Sequence, residues 1–159
     1  MKRIGVTGHR SIPDEALGHV EEGLRAVLGG HEGPLEAFSS LAEGADQLFA
    51  AIALECGADL TVVIPSGDYE DTFEDAGALA GYLGLKRRAT QEVRMAFERS
   101  TDEAYYAAGT YIADSCDRLV AVWDGQPARG HGGTGEIVAY ARRLGKPVDV
   151  IWREGVTRD

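Results

Sequence analysis

Four glycines fall within the six residues 130–135 of Gly130-His131-Gly132-Gly133-Thr134-Gly135-Glu136, directly ahead of a helical pattern. No purely structural turn needs that many. Such density lets a backbone approach a ligand closely, and the unpaired amides of a helix start attract phosphate. Gly132, Gly133 and Thr134 are therefore candidate phosphate contacts, with the Thr134 hydroxyl as an added donor. Glu136 falls in the first helical turn, where a carboxylate either complements the helix dipole or faces a ribose as hydroxyl acceptor, nucleophile or base. Asp124, just after the preceding strand-like run, is a second candidate acceptor for ribose hydroxyls.

Three other segments carry residues of the same chemical character. In Thr7-Gly8-His9-Arg10-Ser11, Gly8 permits a sharp turn and Arg10 offers a forked set of donors to a phosphate. His9 is either a ligand contact or a hydrogen-bonded loop histidine. In Ser39-Ser40-Leu41-Ala42-Glu43-Gly44-Ala45-Asp46, Gly44 opens a helix whose free amides make an anion site. Ser40 and Asp46 there are ligand contacts or plain helix caps. In Pro65-Ser66-Gly67-Asp68-Tyr69, Ser66 and Tyr69 leave a central strand, and Tyr69 stacks on a base or packs at the surface.

These segments matter only if the fold brings them together. Arg3–Thr7, Leu35–Ser40, Leu60–Ile64, Arg118–Trp123 and Val148–Trp152 read as short apolar strands. Between them run helical patterns: Ala16, Leu17, Val20, Leu24, Val27, Leu28; then Ala45, Leu48, Phe49, Ile52, Cys56; then Ala104, Ala107, Ala108, Tyr111, Ile112; then Ile137, Tyr140, Ala141, Leu144. Thr101 or Asp102 caps the third of these. Tyr69–Leu83 has no clean period and reads as a loop with some helix, and Leu85, Ala89, Val93, Ala96 and Phe97 suggest a further helix. Strands alternating with helices predict an α/β, Rossmann-like, doubly wound sheet, mainly parallel, of about five strands with helices on both faces. Right-handed crossovers predict the order 3-2-1-4-5, with a ligand crevice at the strands' carboxyl ends, between the first and fourth strands.

The totals bound the function. A chain of 159 residues, 44% hydrophobic and 26% charged, fits one domain over 1–159. A net charge of −10, with Lys86-Arg87-Arg88 as the densest basic run, argues against nucleic acid and anionic membranes as partners. A small phosphate ligand stays compatible with it. Cys56 and Cys116 are two reduced structural thiols, with no CxxC pair and hence no zinc site or disulfide framework. No cofactor or metal is implied. Without a signal-like segment or an apolar run near the ~20 residues of a spanning helix, the expected location is the cytoplasm.

The GxGxxG and GxxxxGK[ST] fingerprints are missing, and so is a GxSxG elbow, so conventional dehydrogenases, P-loop NTPases and serine hydrolases are not indicated. Gly5–Arg10 (GVTGHR), Ser40–Asp46 (SLAEGAD), Val62–Tyr69 (VVIPSGDY) and Asp117–Val148, with its GGTGEIVAYARRLGKPV, resemble the SLOG superfamily, which includes DprA-like, YpsA-like and LOG proteins. The resemblance spans nearly the whole chain in order. It implies a Rossmann-like fold holding a nucleotide-derived ligand, related to NAD or ADP-ribose in some SLOG sensors. The LOG branch implies release of a base from nucleoside monophosphates; of its PGGxGTxxE motif the chain has the twin glycines, with His131 in place of proline, Thr134 and Gly135 in the reverse order and Glu136 nearer the glycines. Gly135–Ala141 and Gly145–Val148 are also similar to nucleoside 2-deoxyribosyltransferases, where a Glu at the position of Glu136 is the nucleophile. Two functions follow as expectations: a nucleotide sensor or carrier without chemistry, and an N-glycoside hydrolase or transferase using Glu136. A homodimer is the family-level expectation.

Overall fold

The computed structural model describes residues 2–127 and 133–156. Its strands are β1 (Lys2–Gly8), β2 (Leu35–Ser39), β3 (Asp59–Ile64), β4 (Gln91–Arg94), β5 (Arg118–Val122) and β6 (Val148–Ile151). Its helices are α1 (Asp14–Gly29), α2 (Ala45–Glu55), α3 (Ala76–Arg87), α4 (Asp102–Ser115) and α5 (Thr134–Arg143), with a single 3-10 turn at Tyr69–Thr72. The six strands are all parallel, in the order β4-β3-β2-β1-β5-β6. This is the α/β Rossmann-like sheet expected from the alternation, with the expected order of the five apolar strands kept and one strand added at an edge.

Period-two alternation splits the core between the two faces. Ile4, Val6, Ala37, Val62 and Ile64 point to the side of α1 and α2, where Val20, Leu24, Phe49 and Ile52 are buried. Phe38, Val63 and Leu119 point the other way, against Ala108, Ile112, Ile137 and Ala141 of α4 and α5. Gly5 sits under α4, where a Cβ would strike the Ile112 side chain, so the helix packs directly on the sheet. α1 starts with Asp14 and Glu15 in its first turn, and its buried stripe Ala16, Val20, Leu24 and Leu28 has a clean four-residue spacing. Thr101 caps α4 by accepting from the Ala104 amide at 3.2 Å.

One segment departs from the sequence reading. The helix expected over Leu85–Phe97 ends at Arg87, and Gln91–Arg94 is the edge strand β4. Helix α3 occupies Ala76–Arg87, starting in the stretch Tyr69–Leu83 read as a loop with some helix and running four residues past it, with Asp75 capping it through the Ala78 amide at 2.8 Å. The physical reason is that β4 is polar and mostly exposed, so it carries no apolar run. It is specified by ladder bonds to β3, continued by Met95 donating to the Ile64 carbonyl at 2.9 Å. Among the described residues no helix is long and apolar enough to cross a membrane.

Candidate ligand-binding site

The carboxyl ends of β1, β2, β3 and β5, with the starts of α4 and α5, surround a cavity of about 530 Å³. That volume lies in the range of small-ligand sites. Gly8, His9 and Arg10 line it from the β1 loop, Ser40, Ala42 and Asp46 from the β2 loop and α2, and Pro65 and Tyr69 from the β3 loop. Trp123, Gln126, Gly133, Thr134 and Gly135 close the β5 side. Asp102, Tyr105, Ala108, Gly109 and Ile112 form a fourth wall along one face of α4. This is the crevice position that the doubly wound order requires.

Of the residues singled out from sequence, Gly8, His9, Arg10, Ser40, Asp46, Tyr69, Gly133 and Thr134 come together at the cavity. Gly44, Ser66, Asp124 and Glu136 do not line it. Gly132 lies outside the described residues, as do Gly130 and His131. Each residue away from the cavity has a structural reason to be where it is.

Gly44 has φ +88°, and a Cβ on it would overlap the Arg10 carbonyl and come within 2.7 Å of the His9 carbonyl oxygen. The residue lets the β1 loop close onto the start of α2. The expected anion site there is filled by the chain itself: the Ala45 amide donates to the His9 carbonyl at 3.1 Å, and the Gln47 amide to the Ala42 carbonyl at 3.3 Å. Ser66 is buried and donates to Asp68 Oδ1 at 2.8 Å, while Asp68 also accepts from the Ser100 amide at 2.8 Å. That network ties the β3 loop to the segment after β4, and the serine and amide donors hold the Asp68 carboxyl below its usual range. Asp124 Oδ1 accepts from the Gln126 amide at 3.0 Å and shapes the β5 loop. Glu136 is half-buried in the first turn of α5.

His9 bridges two loops. Its Nε2 is 3.1 Å from the Asp124 amide nitrogen and 3.2 Å from Asp124 Oδ1, and its ring meets Trp152 edge-on at 5.4 Å. An unprotonated Nε2 accepts from the amide; a protonated one donates to the carboxylate. The ring stays tied to the β5 loop in either state. Tyr69 is only 3% exposed and meets Phe73 and Tyr82 edge to face, at 5.3 and 5.4 Å, so it is a cavity wall rather than an open stacking platform. Burial raises its phenol well above the ordinary value.

Two features of the site carry electrostatic weight. The Arg10 guanidinium lies 5.0 Å from the Tyr105 ring centroid, so the aromatic ring holds the cation at the cavity wall. Asp46, 8% exposed, has its carboxyl pushed up to about 7 by burial, against the lowering influence of the Ala42 amide and of Arg10. The loop between them is tightly built. Leu41 adopts φ +57° while fully buried, held by its amide donating to Ser39 Oγ at 3.0 Å and its carbonyl accepting from Gln47 Nε2 at 3.1 Å. A branched residue in that backbone region is strained, and its neighbours must hold it there.

Helix α5 starts differently from α2. Gly133 is its first flanking residue, without a side-chain cap, and Gly133, Thr134 and Gly135 all line the cavity. Among the described residues the Glu136 amide donates to the Gly133 carbonyl at 3.1 Å, the first backbone bond of the helix. Sequence reasoning missed the α4 wall. Asp102, Tyr105, Gly109 and Ile112 recur at helical spacing on one face, and Gly109 at the centre of that face was the available signal. Among the described residues no cluster of His, Cys, Asp and Glu has the makings of a metal site.

No family model and no curated protein sequence matches the chain. Its fold is that of the DprA-like Rossmannoid proteins, as the SLOG resemblance implied. DNA processing protein A from Streptococcus pneumoniae superposes with a TM-score of 0.67 at 18% identity, over 94% of this chain and 50% of that one. DNA processing protein A from Helicobacter pylori, described by its single-stranded DNA binding mode, gives 0.65 at 14% identity, over 94% and 64%. The molybdenum cofactor carrier protein from Chlamydomonas reinhardtii gives 0.56 at 22% identity, over 94% and 75%. The chain thus spans half of the first of these and under two thirds of the second. At such identities the likeness is one of fold.

The neighbours nevertheless correct one expectation. Net charge argued against a nucleic-acid partner, yet a protein of this fold binds single-stranded DNA. A whole-chain charge of −10 averages over surfaces remote from a site, such as Glu55 at the end of α2 and Asp59 at the amino end of β3, and does not set the local potential around Arg10.

Proposed function

We propose that this chain binds a nucleotide or nucleotide-derived ligand in the cavity at the carboxyl end of its sheet, acting as a sensor or carrier. The observation that carries the reading is that the start of α5 at Gly133-Thr134-Gly135, where Gly133 gives no side-chain cap, lines the same cavity as Arg10. Helix-start amides and one guanidinium make a phosphate site. The wall of Tyr105, Gly109 and Ile112 then offers an apolar surface for a base. Ribose hydroxyls fall to Ser40 rather than to Asp124 or Glu136, which lie outside the lining. A carrier role is in keeping with the Chlamydomonas neighbour, whose name describes it as a carrier.

The test is a thermal-shift screen against AMP, ADP, GMP, cyclic nucleotides, ADP-ribose, NAD and deoxynucleosides, with chromatography of each mixture. A bound ligand raises the melting point by mass action. A shift with the ligand recovered intact is the expected result, and no shift across the panel overturns the reading. Release of free base would instead point to the N-glycoside hydrolase or transferase, whose transition state builds positive charge at the anomeric carbon. A second reading is single-stranded nucleic acid, favoured by the Helicobacter pylori neighbour. An oligothymidylate in the same screen distinguishes it: binding that weakens steeply with salt and outcompetes mononucleotides supports the polymer.

A further inference from the structure

Asp46 is a buried cavity residue whose carboxylate hydrogen bonding the described residues leave incomplete. The residue is 8% exposed and lines the cavity. Its Oδ2 accepts from the Ala42 amide at a long 3.3 Å, and its backbone carbonyl accepts from Ser39 Oγ at 3.0 Å, which fixes the helical turn. Among the described residues Oδ1 has no hydrogen-bond partner. A buried carboxyl oxygen without a partner is costly unless a ligand or a proton completes it.

We propose that Asp46 is the specificity residue of this cavity: it takes up one proton from solvent as a phosphate group seats beside Arg10, and donates the resulting O–H to a phosphate oxygen. The inference rests on the nucleotide reading above and selects the phosphate, rather than the sugar, as the group Asp46 recognises. With Asp46 ionised, the charge of Arg10 is offset and an incoming phosphate meets a carboxylate. With Asp46 protonated, the same wall presents a cation and a donor side by side. A ligand with hydroxyls only, such as a nucleoside, has the opposite preference, because it needs Asp46 ionised as an acceptor.

The other groups around Asp46 leave it the one suited to this exchange. Arg10 on the β1 loop stays charged throughout the neutral range. The Tyr69 phenol from the 3-10 turn is raised well above its ordinary value and stays protonated near neutrality. Tyr105 and Asp102 reach the cavity from α4. His9, from the β1 loop, has Nε2 against Asp124 and is the one other group of a type that titrates near neutrality. Burial already places the Asp46 carboxyl close to neutral, so a bound anion shifts it across the working pH range.

The experiment uses the whole chain and its Asp46→Asn variant, in which the amide retains an acceptor for Ala42 and supplies a donor to the cavity. Carboxyl-carbon NMR of the ligand-free protein should show one carboxyl titrating near neutrality that the variant lacks. Calorimetry with AMP, inorganic pyrophosphate and adenosine at about pH 7.5, in buffers of different ionisation enthalpy, reads the protons taken up. AMP and pyrophosphate should bind the wild type with net proton uptake and the variant with none attributable to position 46. Above about pH 7, where the phosphate of AMP is already doubly ionised, wild-type affinity for AMP should fall by up to tenfold per pH unit, and that of the variant should stay flat. Adenosine should show no uptake.

An Asp46 carboxyl that titrates in the ordinary acidic range overturns the proposal without reference to any ligand. So does AMP binding without uptake, or uptake that persists undiminished in Asp46→Asn and therefore belongs to another group. If neither AMP nor pyrophosphate binds at any pH although Asp46 titrates near neutrality, the nucleotide reading itself has failed and the proposal falls with it.

Discussion

Helices α2 and α5 begin alike in sequence and differently in space. Each follows a strand of the sheet, starts after a glycine without a side-chain cap, and carries an acidic residue in its first turn: Gly44 with Asp46, and Gly133 with Glu136. At α2 the chain's own carbonyls, from His9 and Ala42, take up the starting amides, and Asp46, its carboxyl buried, lines the cavity. At α5 the start itself lines the cavity and Glu136 lies outside it. The glycine that looks like an anion cradle is thus a backbone joint at one helix, while at the other it lines the cavity. Helix-start chemistry alone does not identify a ligand site; what fills the space in front of it decides.

The largest effect should come from breaking the joint. Gly44→Val forces a side chain into φ +88° against the Arg10 carbonyl, and should cost about 3 kcal/mol or more in chemical denaturation. Gly133→Ala, at an ordinary φ of −72°, should change stability by less than about 0.5 kcal/mol and weaken nucleotide binding instead. Equal stability losses at the two positions would remove the distinction drawn between the helix starts.

The second test separates the two first-turn acids by pH. The folded Asp46 carboxyl titrates at about 7, above its unfolded value, so the native state binds more protons between roughly pH 4 and 7. Stability from this group is full below that window and is lost as pH rises through it. Asp46→Asn should flatten the slope and gain on the order of 2 kcal/mol at pH 8, read from denaturation curves at several pH values. An unchanged slope would mean that Asp46 is solvated as an ordinary carboxylate.

A third change tests whether both starts serve one ligand. Arg10 comes from the loop that plugs α2, yet its guanidinium lies against Tyr105 at the cavity wall. Arg10→Ala should weaken AMP binding by about tenfold, a typical loss for a hydrogen bond to a charged group, with little change in melting point. Undiminished binding would place the phosphate elsewhere.

How far the sequence shows this contrast follows from what each residue's neighbours are. The five apolar strands and the order among them were legible because Ile4, Val62, Val120 and their like must be buried on a two-sided sheet. β4 was not, since an exposed edge strand of four residues needs no apolar run and Val93, Ala96 and Phe97 fell at helical intervals by accident. Gly44 and Gly133 were equally conspicuous as letters. Nothing local records that the Arg10 carbonyl lies against one of them, because that contact joins loops more than thirty residues apart. Tyr105 went unread for the related reason that it sits beside the buried stripe of α4 rather than in it. Tertiary closure, rather than any residue's own propensity, sorts joints from open sites.

The smallest effect expected is also the most direct probe of chemistry at α5. Glu136 is the residue that the likeness to deoxyribosyltransferases made a nucleophile, and like Asp46 it is the acid in its helix's first turn. A nucleophile must reach the anomeric carbon of a bound sugar, and Glu136 is not part of the cavity wall while its neighbours Gly135 and Ile137 are. Its half-buried place in the first turn suits a carboxylate that complements the helix dipole, a contribution of about 0.3–1 kcal/mol. Glu136→Gln should therefore leave AMP affinity within about twofold and leave the ligand intact in the incubated mixture. Base release by the wild type that vanishes in this variant would reverse the contrast, making α5 the catalytic start and Asp46 its supporting acid.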